Sequence, residues 1–155
     1  MIISHRGNTA GPNPAKENHP DTILNLLEQK VYVEVDIWHI NKMYYLGHDS
    51  AVYACPKEII ASRYSVLHCK NIEAFLEMYN SDNPSDSFYH STEELVLTNH
   101  RKLWFYPRRD LSKVPNNESS VIVLPEYYNL TREEIGNRSV CTDYTQKYET
   151  TAKTA

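Results

Sequence analysis

Two carboxylates, Glu34 and Asp36, stand two residues apart in the segment 31–38, where Val33, Val35 and Ile37 fill the alternate positions. A period of two is a strand, with both carboxylates on one face and the apolar side chains on the other. Neighbouring carboxylates repel unless a cation or protons neutralise them, and oxygen ligands suit a hard ion such as Mg²⁺ or Ca²⁺. Upstream, His5-Arg6-Gly7 joins a proton carrier, a fork that matches phosphate oxygens and a turn residue. Downstream, Gly47-His48-Asp49 adds a second histidine with a carboxylate beside it. Taken singly, each motif has an ordinary structural counterpart, such as a solvated strand face for Glu34 and Asp36. Together they are the parts needed to cleave a phosphodiester. One histidine takes the nucleophile's proton, the other protonates the leaving oxygen, and the cation with Arg6 offsets the phosphoryl charge. Three of the four glycines, Gly7, Gly11 and Gly47, fall within or beside these motifs, which suits backbone held close to a ligand.

The elements that must position these groups follow from local pattern. Residues 1–4 are a short apolar strand entering His5-Arg6-Gly7, and Gly11, Pro12 and Pro14 mark an irregular loop to about residue 17. Asn18 is expected to cap a helix with Pro20 in its first turn, carrying Ile23, Leu26 and Leu27 at helical spacing to about residue 30. After the strand at 31–38, Asn41-Lys42 is a turn and 43–46 a second strand. Further strands are expected at 65–69, 87–90, 102–106, 120–124 and 139–143, with helices at 72–79 and 131–135. Strands alternating with helices or loops argue for a parallel α/β arrangement, and several of these strands end in polar residues, as parallel-barrel strands do at an active face. The expected fold is therefore an abbreviated (β/α) TIM-type barrel with reduced or missing helices, since 155 residues fall short of the roughly 200 such barrels need. One domain is expected over 1–148, with a polar, frayed tail at 149–155.

Composition bounds the rest. A net charge of −4 and the lack of a basic stripe argue against nucleic-acid binding. Cys55, Cys69 and Cys141 are too widely spaced for a zinc knuckle and odd in number for a disulfide framework. The sequons at Asn117, Asn129 and Asn137 would matter only in a secreted protein. With no signal peptide and no apolar run long enough to span a membrane, a cytoplasmic location is expected. Exposed strand edges in an abbreviated barrel favour a homo-oligomer.

The ordered set HRG (5–7), ENHPDTI (17–23), VEVD (33–36) and LGHD (46–49) resembles the N-terminal signature of the glycerophosphodiester phosphodiesterase family, among the phosphatidylinositol-phospholipase-C-like phosphodiesterases. HCKN (68–71), FYH (88–90), LWFYP (103–107), LPE (124–126) and CTDY (141–144) resemble a short bacterial or phage branch. The resemblance implies metal-dependent hydrolysis of a small phosphodiester to a phosphomonoester and an alcohol. By matching position, His5 and His48 would be the acid/base pair. Arg6 and Lys70 would bind phosphate, and Glu17, Glu34 and Asp36 would hold Mg²⁺ or Ca²⁺, with Mn²⁺ able to substitute. The sequence departs from the pattern at His68, where the family has an acidic residue. As neutral imidazole it can still be a ligand, and softer metals then compete. Glu126 is the candidate for the missing carboxylate, and it joins Trp104 among the substrate-binding candidates. His90, Tyr106 and Asp143 are candidates for lining the pocket, whereas His19, His39 and His100 are assigned to surface or structure. Three other readings stay open: a catalytically weak module that binds sugar phosphates, a lyase that stops at a cyclic phosphate, and a structural protein with a residual site.

Overall fold

The chain forms β1 (Ile2–His5), α1 (Pro20–Glu28), β2 (Tyr32–Ile40), β3 (Met43–Leu46), β4 (Tyr53–Ala54), α2 (Lys57–Ile60), β5 (Ser65–Cys69) and α3 (Ile72–Asn80). It continues through β6 (Asp86–Tyr89), β7 (Leu95–Leu97), β8 (Leu103–Phe105), β9 (Ser120–Val123), a 3₁₀ turn at Pro125–Tyr128, α4 (Arg132–Ile135), β10 (Ser139–Thr142) and α5 (Thr145–Tyr148). The structure, a computed structural model, describes residues 1–149, so the expected tail at 149–155 lies, apart from Glu149, outside the described residues. All these strands belong to one curled sheet. The run β8-β9-β10-β1-β2-β5-β6 is parallel throughout. β3 and β4 continue antiparallel from β2, and β7 pairs antiparallel with β8.

The expected TIM-type barrel is therefore corrected to a curled mixed sheet, a half-barrel without an alternating ring of helices. Only α1 and α3 reach nine residues; α2, α4 and α5 have four each. The physical reason is chain length. A βαβ unit takes about 30 residues, whereas here β3, β4 and β7 use chain for antiparallel pairing. The link from β8 to β9 carries Pro107 and Pro115 and forms no helix.

The strand alternation sets apolar clusters on both faces of the sheet, three in all among the described residues. Outward-facing Val33, Val35, Ile37, Leu67 and Cys69 pack under Ile23 and Leu27 of α1 and Ala74 and Met78 of α3. Inward-facing Ile3, Val66, Phe88, Trp104, Val121 and Cys141 meet inside the curl as an apolar floor. One strand period further along sit His5, Glu34, His68, His90, Tyr106 and Asp143, all on the same inner face. Because the strands carrying them are parallel, these polar positions emerge on one side of the sheet.

The first helix differs from expectation in its cap. His19, not Asn18, is the N-cap, its Nδ1 accepting from the Asp21 backbone N–H at 3.2 Å. Asn18 takes a left-handed φ of 56° and turns its amide inward. Among the described residues no helix is long and apolar enough to cross a membrane.

Candidate active site

Sheet register assembles the site. His5 lies beside Glu34 across β1 and β2, and Asp36 lies beside His68 across β2 and β5. Parallel neighbours in register share a face, so four side chains from three strands converge. His68 Nδ1 is 3.0 Å from Asp36 Oδ1 and 3.4 Å from Glu34 Oε1. Glu34, Asp36 and His68 offer ligand atoms that all lie within 4.8 Å of one another.

This donor set fits a divalent cation on three observations. Its closest separations match the ~3 Å between adjacent ligands around one ion at usual bond lengths. Asp36 Oδ1 is fully buried without an aligned hydrogen-bond donor, the kind of orphan a cation satisfies. His68 Nε2 is 3.5 Å from the His90 carbonyl, an acceptor that favours the tautomer leaving Nδ1 free to ligate. Of the expected ligands, Glu34 and Asp36 belong to this cluster. Glu17 lines the same pocket but lies outside the cluster, bonded to Asn8 Nδ2 at 2.9 Å and 3.5 Å from Arg6 Nη1.

His5 donates through Nδ1 to Asp143 Oδ1 at 2.8 Å. That fixes the tautomer and leaves Nε2 as the free base, 4.0 Å from Glu34 Oε2. Burial opposes charge on His5, but the Asp143 hydrogen bond and the Glu34 carboxylate together raise its pKa. Burial also opposes charge on Asp143, yet its contact with His5 and its hydrogen bond from Asn8 hold its pKa below the usual carboxylate range. Glu126 does not line the pocket. It accepts from Thr142 Oγ1 and the Asp143 N–H, both at 2.9 Å, and so clamps the end of β10.

Arg6 supplies positive charge from a left-handed backbone, φ 54°. Such a conformation is strained for a non-glycine residue and persists where bonds over-determine it. Here the Arg6 N–H donates to the Glu34 carbonyl at 3.0 Å, and its own carbonyl accepts from Asn18 N at 3.0 Å. The guanidinium Nε is 3.2 Å from Asp36 Oδ2, and Lys70 Nζ is 3.8 Å from Asp36 Oδ1. Asn18 clasps Asp36 with both ends of its amide, at 2.8 and 2.9 Å. Gly7 takes a φ of 88°, which favours glycine, and an added Cβ would meet Ile23 Cδ1 at 3.0 Å, so that side chain would have to shift.

The resulting pocket has a volume of about 320 Å³, at the small end of ligand sites. His48 lines its mouth, more than one third exposed, with Nδ1 2.7 Å from Asp49 Oδ1. Trp104, almost fully buried, forms part of the floor against Phe88. Tyr106 and His90 stack face to face at 3.6 Å and form one wall. Sequence reasoning missed Asn8 and the inward role of Asn18. Both lie within or beside the first two motifs, and that placement was the available signal. It placed Asp143 at the pocket without its link to His5.

Burial opposes charge on His68, but the adjacent Asp36 and Glu34 carboxylates outweigh it and push its pKa up to about 9. Burial likewise opposes ionisation of Asp36, and the surrounding His68, Arg6 and Lys70 hold it ionised. A folded pKa above the ordinary 6.5 means that the His68 contacts stabilise fully below about 6.5 and are lost as pH rises through about 9. The melting temperature of the metal-stripped protein is expected to fall between pH 6.5 and 9.5, and His68→Asn is expected to flatten that fall. Thermal melts in chelator across this range check it; a wild-type curve no steeper than the variant's would refute the account.

Compared with family models, with curated proteins and with solved structures, the chain gives no match.

Proposed function

We propose that this protein is a divalent-cation-assisted phosphodiesterase acting on a small glycerophosphodiester-like molecule, as its motif resemblance implies. The observation that carries the reading is a single pocket holding a carboxylate-oriented base, His5, beside the Glu34–Asp36–His68 cluster and the cations of Arg6 and Lys70. A bound cation would polarise a phosphoryl oxygen and offset charge built up during transfer.

The chain's own residues supply the remainder. His5 Nε2 accepts the proton of the attacking oxygen, a water or a hydroxyl of the substrate, while Asp143 stabilises the imidazolium that forms. Arg6 and Lys70 orient the phosphate oxygens. His48, at the mouth, delivers a proton to the departing alkoxide, which leaves towards solvent. The small volume favours a compact head group over a polymer.

The test is turnover of a glycerophosphodiester panel by metal-stripped and metal-loaded protein, with products followed by ³¹P NMR. A phosphomonoester released only with metal is the expected result. A cyclic phosphate as sole product would make the protein a lyase. Binding without turnover under any metal would reduce it to a phosphate-binding module.

A further inference from the structure

Resting on that reading of the pocket, we propose that the cation held by Glu34, Asp36 and His68 is a borderline transition ion of the Co²⁺, Ni²⁺ or Zn²⁺ class, and that His68 selects it against Mg²⁺ and Ca²⁺. Hard ions are held by oxygen ligands, with affinity tuned by the number of ligand charges. This cluster offers only two carboxylates. Arg6 at 3.2 Å and Lys70 at 3.8 Å already offset Asp36. Glu17, the third metal ligand that the motif resemblance implies, lies outside the cluster, bonded to Asn8 at 2.9 Å and 3.5 Å from Arg6. Arg6 and Lys70 offset much of the Asp36 charge, which weakens the attraction for an ion bound by charge alone.

Imidazole changes the balance, because its nitrogen forms a more covalent bond with borderline ions and suits Mg²⁺ and Ca²⁺ poorly. His68 is oriented for that bond, which the metal would make in place of the Nδ1 proton. Its ring stacks on Phe88 at 4.8 Å and 14°, Nε2 is near the His90 carbonyl, and Nδ1 faces both carboxylates. A ligand whose orientation is fixed by neighbours binds without first losing rotamer freedom. Asp36 Oδ1, buried without a well-aligned hydrogen bond, is the second donor, 3.0 Å from His68 Nδ1.

Most nitrogen- and oxygen-containing sites bind Zn²⁺ more tightly than Mg²⁺, so the order alone decides nothing. The decisive quantity is how His68→Asp changes the ratio of affinities. Titration calorimetry on metal-stripped protein with Mn²⁺, Zn²⁺, Mg²⁺ and Ca²⁺ is expected to show the preference for Zn²⁺ over Mg²⁺ falling at least ~10-fold in H68D. An unchanged ratio in a folded variant would overturn the proposal. A second readout needs no variant: Mn²⁺ bound to the wild type is expected to show nitrogen coupling in pulsed EPR, and its absence would overturn the proposal equally. Phosphodiester turnover is scored separately. Selective, nitrogen-coupled metal binding without turnover would sink the enzymatic reading and leave this one standing, whereas turnover without nitrogen coupling would sink this one alone.

Discussion

His5→Ala is expected to lower kcat on a glycerophosphodiester about 10³-fold, with KM and metal affinity changed by less than about threefold. General-base catalysis by a positioned histidine contributes roughly 10²–10⁴-fold, and His5 sits above the lower end of that range for a structural reason. Its side chain is 14% exposed, so water cannot readily take over proton acceptance. Asp143 holds it from behind at 2.8 Å. A split between kcat and KM follows because His5 is outside the cation cluster and Arg6 and Lys70 remain to bind phosphate.

Two further variants locate the effect. Asp143→Asn keeps the shape but removes the charge that stabilises the imidazolium, and the kcat loss should approach that of His5→Ala. His48→Ala should cost less, about 10-fold to 10²-fold, because His48 is exposed enough for solvent to protonate the leaving oxygen in its place. Steady-state kinetics on the three proteins would check the ordering. If His48→Ala proved the more damaging change, the base would have to be reassigned to the mouth of the pocket.

The parts of this site that were legible in the sequence are those set by a single strand. The alternation around Glu34 and Asp36 puts both carboxylates on one face whatever the rest of the chain does. The His5–Asp143 pair was not legible, because its members are 138 residues apart and meet only because β10 pairs with β1. His68 joins the cluster through the register of β5 on β2, which no local pattern reveals. Asn18 passes for the cap because Asn is a preferred N-cap residue and Pro20, a first-turn residue, follows two places on. His19 can cap equally well, which frees Asn18 to clasp Asp36. The short strands β4 and β7, of two and three residues, carry no period to detect. Strand ends rich in polar residues pointed to a shared polar face, where the sheet gathers His5, Glu34, His68, His90 and Asp143. They did not reveal that the sheet would add antiparallel strands instead of a ring of helices, since that depends on how each connection spends its residues.

Asp36→Asn is expected to destabilise the metal-free protein by about 3 kcal/mol at pH 7, the low end of the cost of removing one partner from a buried ion pair. Asp36 has no exposed surface and faces Arg6, His68 and Lys70 within 3.8 Å. Losing its charge leaves three cations around a neutral amide. Two effects moderate the loss: Arg6 and Lys70 are partly exposed and can turn to solvent, and His68 can shed its proton. Relief of repulsion from Glu34 works in the same direction, but a single neighbouring carboxylate is outweighed by three cations. Denaturant unfolding in chelator measures the difference. Repeating it with metal at about 100 times Kd should stabilise the wild type by about 2.7 kcal/mol, by mass action on the folded state, and Asp36→Asn far less. A variant as stable as wild type in chelator, yet still deprived of the metal effect, would mean that Asp36 serves the cation alone and that the cluster adds nothing to the apo fold.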